Sequence, residues 1–183
     1  SNNNSATGVT TIYTFTYDSQ NRLTQEQFSD GTATISFVYG TDTVTETQGT
    51  TITVYALNNS GVAASDNQGN TYTYDANGHL LSETNPNGAS TMNTVTNNNI
   101  TKSVQTTAGG TVTTLTYTFT TGTNTLKFGL TFTGAPNANL IQSEGINGTN
   151  YPFTYTYDSH NRVQTQKIVS GSTTLLRTYT YVN

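Results

Sequence analysis

Apolar and polar positions alternate with a period of two along most of the chain. Tyr13, Phe15 and Tyr17 are separated by Thr14 and Thr16, and Tyr72 and Tyr74 by Thr73. Tyr151, Phe153, Tyr155 and Tyr157 are separated by Pro152, Thr154 and Thr156. That period describes strands with one buried and one wetter face. It continues through Leu115, Tyr117 and Phe119, and again through Leu126, Phe128, Leu130 and Phe132, and predicts strands across both stretches. The parity slips between Val112 and Leu115, which predicts a β-bulge near Thr113 and Thr114. Residues 134–150, with Pro136 and several Asn and Gly, break the alternation and read as the long loop. No stretch has a helical period.

The strands are punctuated by a repeat. Tyr17-Asp18-Ser19-Gln20-Asn21-Arg22-Leu23 is followed by Gly31, and Tyr74-Asp75-Ala76-Asn77-Gly78-His79-Leu80 by Gly88. Tyr157-Asp158-Ser159-His160-Asn161-Arg162-Val163 is followed by Gly171, so the Tyr-to-Gly offset is 14 in each copy. The Asp can accept hydrogen bonds from the backbone two residues on, as in an Asx-turn. Asn21, Gly78 and Asn161 stand where a left-handed residue would close a hairpin. A return strand then leads to a second turn at Asp30-Gly31, Asn87-Gly88 and Ser170-Gly171. Each unit therefore predicts three antiparallel strands and two tight turns. Tyr55-Ala56-Leu57-Asn58-Asn59-Ser60-Gly61-Val62 is a degenerate copy, and Asn97-Asn98-Asn99-Ile100 a shortened turn. Gln48-Gly49, Gln68-Gly69, Gly109-Gly110 and Gly122 are further hairpin candidates.

Hairpins in series give an all-β, antiparallel up-and-down meander. We expect 12 to 14 short strands forming one curled, barrel-like sheet, with a two-layer β-sandwich as the alternative. Residues 1–10 read as a flexible N-terminal linker, left after removal of a leader, and 11–183 as a single β-repeat domain.

Composition adds exclusions more than assignments. Charged residues make up 9% of the chain, with 43 Thr and 22 Asn, and 19 Tyr or Phe residues supply a core. Six Lys and Arg form no basic patch, which argues against nucleic acid as a partner. No apolar stretch reaches the roughly 20 residues of a spanning helix, and short strands with Thr on the second face do not suit a membrane barrel. The absence of cysteine removes disulfides, thiolate metal sites and Cys nucleophiles. Low Lys with abundant Thr and Asn fits an exported bacterial β protein, periplasmic or on the cell surface.

The unit resembles the YD repeats of Rhs-type and teneurin-type proteins, which run Tyr-Asp-x-x-Gly-Arg-Leu with a later turn glycine. Asn replaces the turn Gly in two copies here, and His79 replaces the Arg in one. The stretch from Thr51 through Tyr55-Ala56-Leu57-Asn58-Asn59-Ser60-Gly61 into Tyr72-Thr73-Tyr74-Asp75 is similar to a family of exported Bacteroidetes proteins of unknown function. That resemblance covers most of residues 11–182, and implies a porin-like fold and a lipid anchor upstream of residue 1. Neither family supplies a catalytic residue.

The residues that could carry chemistry are few. His79 and His160 lie in or beside repeat turns and read as surface turn residues. Two His without Cys make a poor zinc site, and no cofactor is expected. Asp18, Asp75 and Asp158 occupy equivalent positions, so a structural task outweighs a catalytic one. Arg22 and Arg162 either pair with acids or stay solvated. Asp66-Asn67-Gln68-Gly69-Asn70 lacks the spacing and terminal Glu of a calcium loop. The leading expectation is a non-enzymatic structural or binding module. The alternatives are a carrier or binder of a glycan or an apolar small molecule, and a hydrolase using two of the ten scattered acids.

Overall fold

The computed structural model describes residues 12–29, 34–126, 128–171 and 173–180. These form fifteen strands, against the 12 to 14 expected. They are β1 (Tyr13–Tyr17), β2 (Leu23–Phe28), β3 (Thr34–Tyr39), β4 (Thr43–Gln48), β5 (Thr51–Leu57), β6 (Ala63–Asp66), β7 (Thr71–Tyr74) and β8 (Leu80–Thr84). The remainder are β9 (Ser90–Thr96), β10 (Asn99–Thr106), β11 (Val112–Thr123), β12 (Asn139–Ile146), β13 (Thr149–Tyr157), β14 (Val163–Ser170) and β15 (Thr173–Thr178). A single 3-10 turn spans Thr131–Thr133. The strands are ordered β1 to β15 in one sheet, each antiparallel to the next. No ladder joins β1 to β15 among the described residues, so the curled sheet is open.

One turn design accounts for much of this meander. At 18–22, 58–62, 66–70, 75–79, 85–89, 107–111 and 158–162, the first N–H donates to the fifth carbonyl and the fourth N–H to the first carbonyl. The fourth residue has positive φ in all seven: Asn21, Gly61, Gly69, Gly78, Gly88, Gly110 and Asn161. This is the three-residue hairpin closed by a left-handed residue. Asn97 and Asn98, and Asn147 and Gly148, make two-residue turns with both central φ values positive. Gly171 also has positive φ, between the paired Ser170 and Thr173. Gly31 and residues 1–10 lie outside the described residues.

Four local expectations are corrected. Gly122 lies inside β11 and makes no hairpin. Thr113 and Thr114 pair in regular register with Gln105 and Val104, so no bulge lies there. Val112 simply faces outward, and the irregularities of β11 fall between Thr118 and Thr123, against β12. The long connection is 124–138, because 139–146 forms β12 and 147–148 is a tight turn. Leu126, Leu130 and Phe132, in the stretch expected as a strand, have no ladder partner; they pack against the sheet, with Phe132 in the 3-10 turn and Phe128 exposed.

The connection 124–138 acts as a strap. In an up-and-down meander every turn from an odd to an even strand lies at the same end. The three Tyr-Asp turns and the strap therefore share one end of the sheet. Phe132 of the strap is buried with Leu23, Phe37, Val44 and Ala63, and Phe15, Tyr39, Tyr55 and Tyr72 pack around them. Its ring lies 4.8 Å from that of Tyr55, 6.0 Å from Phe37 and 6.3 Å from Tyr39. A second cluster joins Leu140, Val163 and Tyr179 to Leu126 of the strap and Tyr155. The curled sheet thus encloses a segment of its own chain.

Candidate ligand cleft at the strap end

In the first unit, Asp18 Oδ1 accepts the amides of Gln20 and Arg22, each at 2.9 Å, while Oδ2 accepts Arg22 Nε at 2.7 Å. The third unit repeats this with Asp158, His160 and Arg162. In the second, Asp75 Oδ1 takes the amides of Asn77 and His79, and Oδ2 lies 3.1 Å from His79 Nδ1. The Arg22 amide is the largest influence holding the Asp18 carboxyl below its ordinary range. Burial opposes ionisation of Asp75 and Asp158, but the amide and side-chain donors outweigh it, so both are also lowered. The arginines are thus partners of their own turn acids, and Arg22 also sits 4.2 Å over the Tyr39 ring.

His160 is an exposed turn residue, whereas His79 is only 3% exposed, contrary to expectation. The strap covers its turn, with the Ala135 amide donating to Gly78 O at 2.8 Å. Asp66 builds the same turn as the repeat acids. Its Oδ1 accepts the amides of Gln68 and Asn70, and its Oδ2 accepts Asn70 Nδ2 and the Tyr72 hydroxyl. Both oxygens are therefore engaged by the chain itself. Among the described residues no three His, Asp or Glu side chains gather as metal ligands.

The acids are less scattered than they look in the sequence. All four glutamates stand directly across a ladder from an aromatic residue: Glu26 from Phe15, Glu46 from Phe37, Glu83 from Tyr72 and Glu144 from Tyr117. Cross-strand partners share a face, so the glutamates line the aromatic, concave side. Asp66 stands likewise across from Tyr55, whose hydroxyl donates to Glu46 Oε2 at 3.0 Å. Burial first, and the neighbouring carboxylates second, push Tyr55 and Tyr72 far above the usual phenol range. Tyr74 is pushed up to about 12 by burial and by Glu83. The phenols are held neutral among anions.

Two openings adjoin here. The outer is a cleft of ≈ 630 Å³ between the 58–62 turn, the 75–79 turn and the strap. Tyr72 and Tyr74 form its aromatic part, and Asn58, Ser60, Thr73, Asn77 and Thr131 supply amides and hydroxyls. The inner is a recess of ≈ 220 Å³ that shares Tyr72 and Tyr74 and adds Tyr55, Glu83 and Phe132. Sequence reading missed both, because the strap forms one wall and was divided there between a strand and a loop. The glutamate row did leave a signal. Glu26 and Glu83 each follow a repeat tyrosine, Tyr17 and Tyr74, by nine residues, and Gln166 follows Tyr157 by the same nine.

Residues 62–90 match the RHS Repeat family model, a span that holds the Tyr74-Asp75 turn and the Asn87-Gly88 turn. The fold is similar to that of a porin-like protein from Bacteroides uniformis ATCC 8492, with a TM-score of 0.74 and 18% identity over 98% of this chain and 93% of that one. It is similar also to a porin-like protein from Bacteroides vulgatus ATCC 8482, with a TM-score of 0.68 and 11% identity over 99% and 97% of the two chains. No curated protein matches the chain. The YD-repeat resemblance and the porin-like fold read from the sequence both stand. Among the described residues no helix is long and apolar enough to cross a membrane.

Proposed function

We propose that the chain is a non-enzymatic, exported binding module of the bacterial periplasm or cell surface, and that its outer cleft holds a glycan. One observation carries this reading: a cleft of ≈ 630 Å³ where two tyrosines meet amide and hydroxyl side chains from two turns and the strap. Tyrosine faces suit the C–H faces of sugars, and Asn, Ser and Thr suit their hydroxyls. The polar rim favours a glycan over a wholly apolar ligand. The engagement of the repeat acids in turns, and of Glu46 and Asp66 by tyrosine hydroxyls, supports a binding role over hydrolysis.

A glycan array followed by calorimetry tests this. Ser60 is exposed on the cleft rim, so Ser60→Trp should fill the opening without disturbing the fold. The expected result is a glycan that binds the native chain and is lost in the variant. No glycan bound, or equal binding by both chains, would overturn the reading.

A further inference from the structure

The inner recess has a different chemistry from the cleft beside it, and Ser60 does not line it. Its walls are the rings of Tyr55, Tyr72, Tyr74 and Phe132, with Glu83 at its side. The rings of Tyr55 and Tyr72 lie 6.3 Å apart with planes inclined at 51°, and that of Phe132 stands 4.8 Å from Tyr55. Two of the rings are fixed by their hydroxyls, Tyr55 on Glu46 and Tyr72 on Asp66. Those two carboxylates are therefore satisfied. Glu83 is half-buried, and no hydrogen bond or ion pair engages its carboxylate among the described residues. No Lys or Arg lines the recess.

A half-buried carboxylate beside aromatic faces lacks a positive partner. Ring faces carry the negative part of the aromatic quadrupole, so walls and carboxylate attract the same kind of ligand. Anions are repelled, and a neutral ligand gains at most a hydrogen bond from Glu83, without the charge attraction or the attraction to the ring faces that a cation gains. The size also discriminates, because ≈ 220 Å³ lies below the roughly 300 Å³ at which drug-sized sites begin. We propose that this recess binds a compact organic cation, an ammonium or quaternary ammonium group, with Tyr55, Tyr72, Tyr74 and Phe132 as its walls and Glu83 as its counter-charge.

The test compares choline with its uncharged carbon isostere by calorimetry on the native chain. Choline should bind, and the isostere should bind at least about tenfold more weakly, as expected where a desolvated cation–π contact is lost. Glu83→Gln should weaken choline by a similar factor and leave the isostere unchanged. The native-chain comparison stands whether or not that variant folds. Ser60→Trp should abolish glycan binding and leave choline binding intact, which separates the two proposals. Sedimentation with phosphatidylcholine vesicles distinguishes the source of the cation: choline-competed binding assigns it to a lipid headgroup, and its absence beside choline binding to a free cation. Equal binding of choline and isostere, or no choline binding at millimolar concentration, would overturn the proposal.

Discussion

Gly134 crosses Tyr74 so closely that a Cβ on the glycine would stand 2.8 Å from Cε1 of the ring and 2.6 Å from the carbonyl oxygen of Gly78. The other repeat tyrosines meet glycines too. A Cβ on Gly129 would lie 3.2 Å from Tyr17 Cε1, and one on Gly122 would lie 3.8 Å from the Tyr157 hydroxyl. The strap thus seats itself on the first two Tyr-Asp hairpins through positions without side chains. Gly134→Ala should cost about 2 to 3 kcal/mol, since φ is 97° and the obstacle is backbone. Gly88→Ala, with φ 87° but nothing within 4 Å, should cost only about 1 kcal/mol. Urea unfolding of the pair measures the difference, and equal losses would show that strap contact at Gly134 contributes nothing.

Phe132 is the strap's anchor. It is buried among Leu23, Phe37 and Ala63 and touches rings from β3 and β5. Truncation leaves a cavity where residues of β2, β3, β5 and β6 converge on one ring, so Phe132→Ala should lose about 3 to 5 kcal/mol. Thr131→Ala and Thr133→Ala, at the exposed flanks of the same turn, should each stay within roughly 0.5 kcal/mol. Chemical denaturation of the three variants distinguishes an anchored strap from one that merely rests on the sheet.

The contrast between strap and turns explains which features the sequence made visible. The Tyr-Asp hairpins are local: the acid, the amides it accepts and the left-handed residue lie within five positions, so Asp18 to Arg22 could be read directly. The strap is not local. Leu126, Leu130 and Phe132 recur at a strand's parity because packing alternate side chains on a sheet needs no ladder, whereas a strand also needs a partner, and none is encoded nearby. β12 was hidden for the opposite reason. Its Gly145 sits against Thr116 Oγ1 with no room for a side chain, and Asn139, Gln142 and Ser143 dilute its apolar pattern. Glu26 and Glu83 were encoded by the repeat, but an inward-facing acid contradicts the usual polar-out rule, so the acids read as scattered.

Acid should weaken the turns in a defined direction. Asp18, Asp75 and Asp158 have carboxyl groups held below their ordinary range in the folded chain. Their contribution is complete above the unfolded value near pH 4 and is lost as the pH falls through the lower folded values. Asn58 shows what remains without charge: its Oδ1 accepts the Ser60 amide at 2.8 Å and the Val62 amide at 3.4 Å, with no second oxygen for an ion pair. Replacing all three aspartates by Asn should lower the melting temperature at neutral pH and flatten its decline below pH 4. An undiminished acid decline in the triple variant would place the responsible carboxyls elsewhere.

Alkali should act on the concave face. Burial is the main reason that Tyr55, Tyr72, Tyr74 and Tyr117 resist ionisation, and the inward carboxylates add to it; Tyr74 and Tyr117 are each pushed up to about 12. A phenol raised in the folded chain contributes stability that is complete below its unfolded value near pH 10 and is lost as the pH rises through the folded value. The fold should therefore hold to pH 10 and weaken steeply between 10 and about 12. Tyrosinate absorbance should rise in two stages, with the more exposed Tyr17 in the first and the buried group in the second, together with loss of near-ultraviolet circular dichroism. Tyr17 tests the assignment, because at 44% exposure it is still raised, by burial and then by Glu26. Glu26→Gln should move part of the early stage to lower pH and leave the late stage in place. If all twelve tyrosines ionised in one step near pH 10 while the circular dichroism stayed native, the acid-lined aromatic face would not exist in solution.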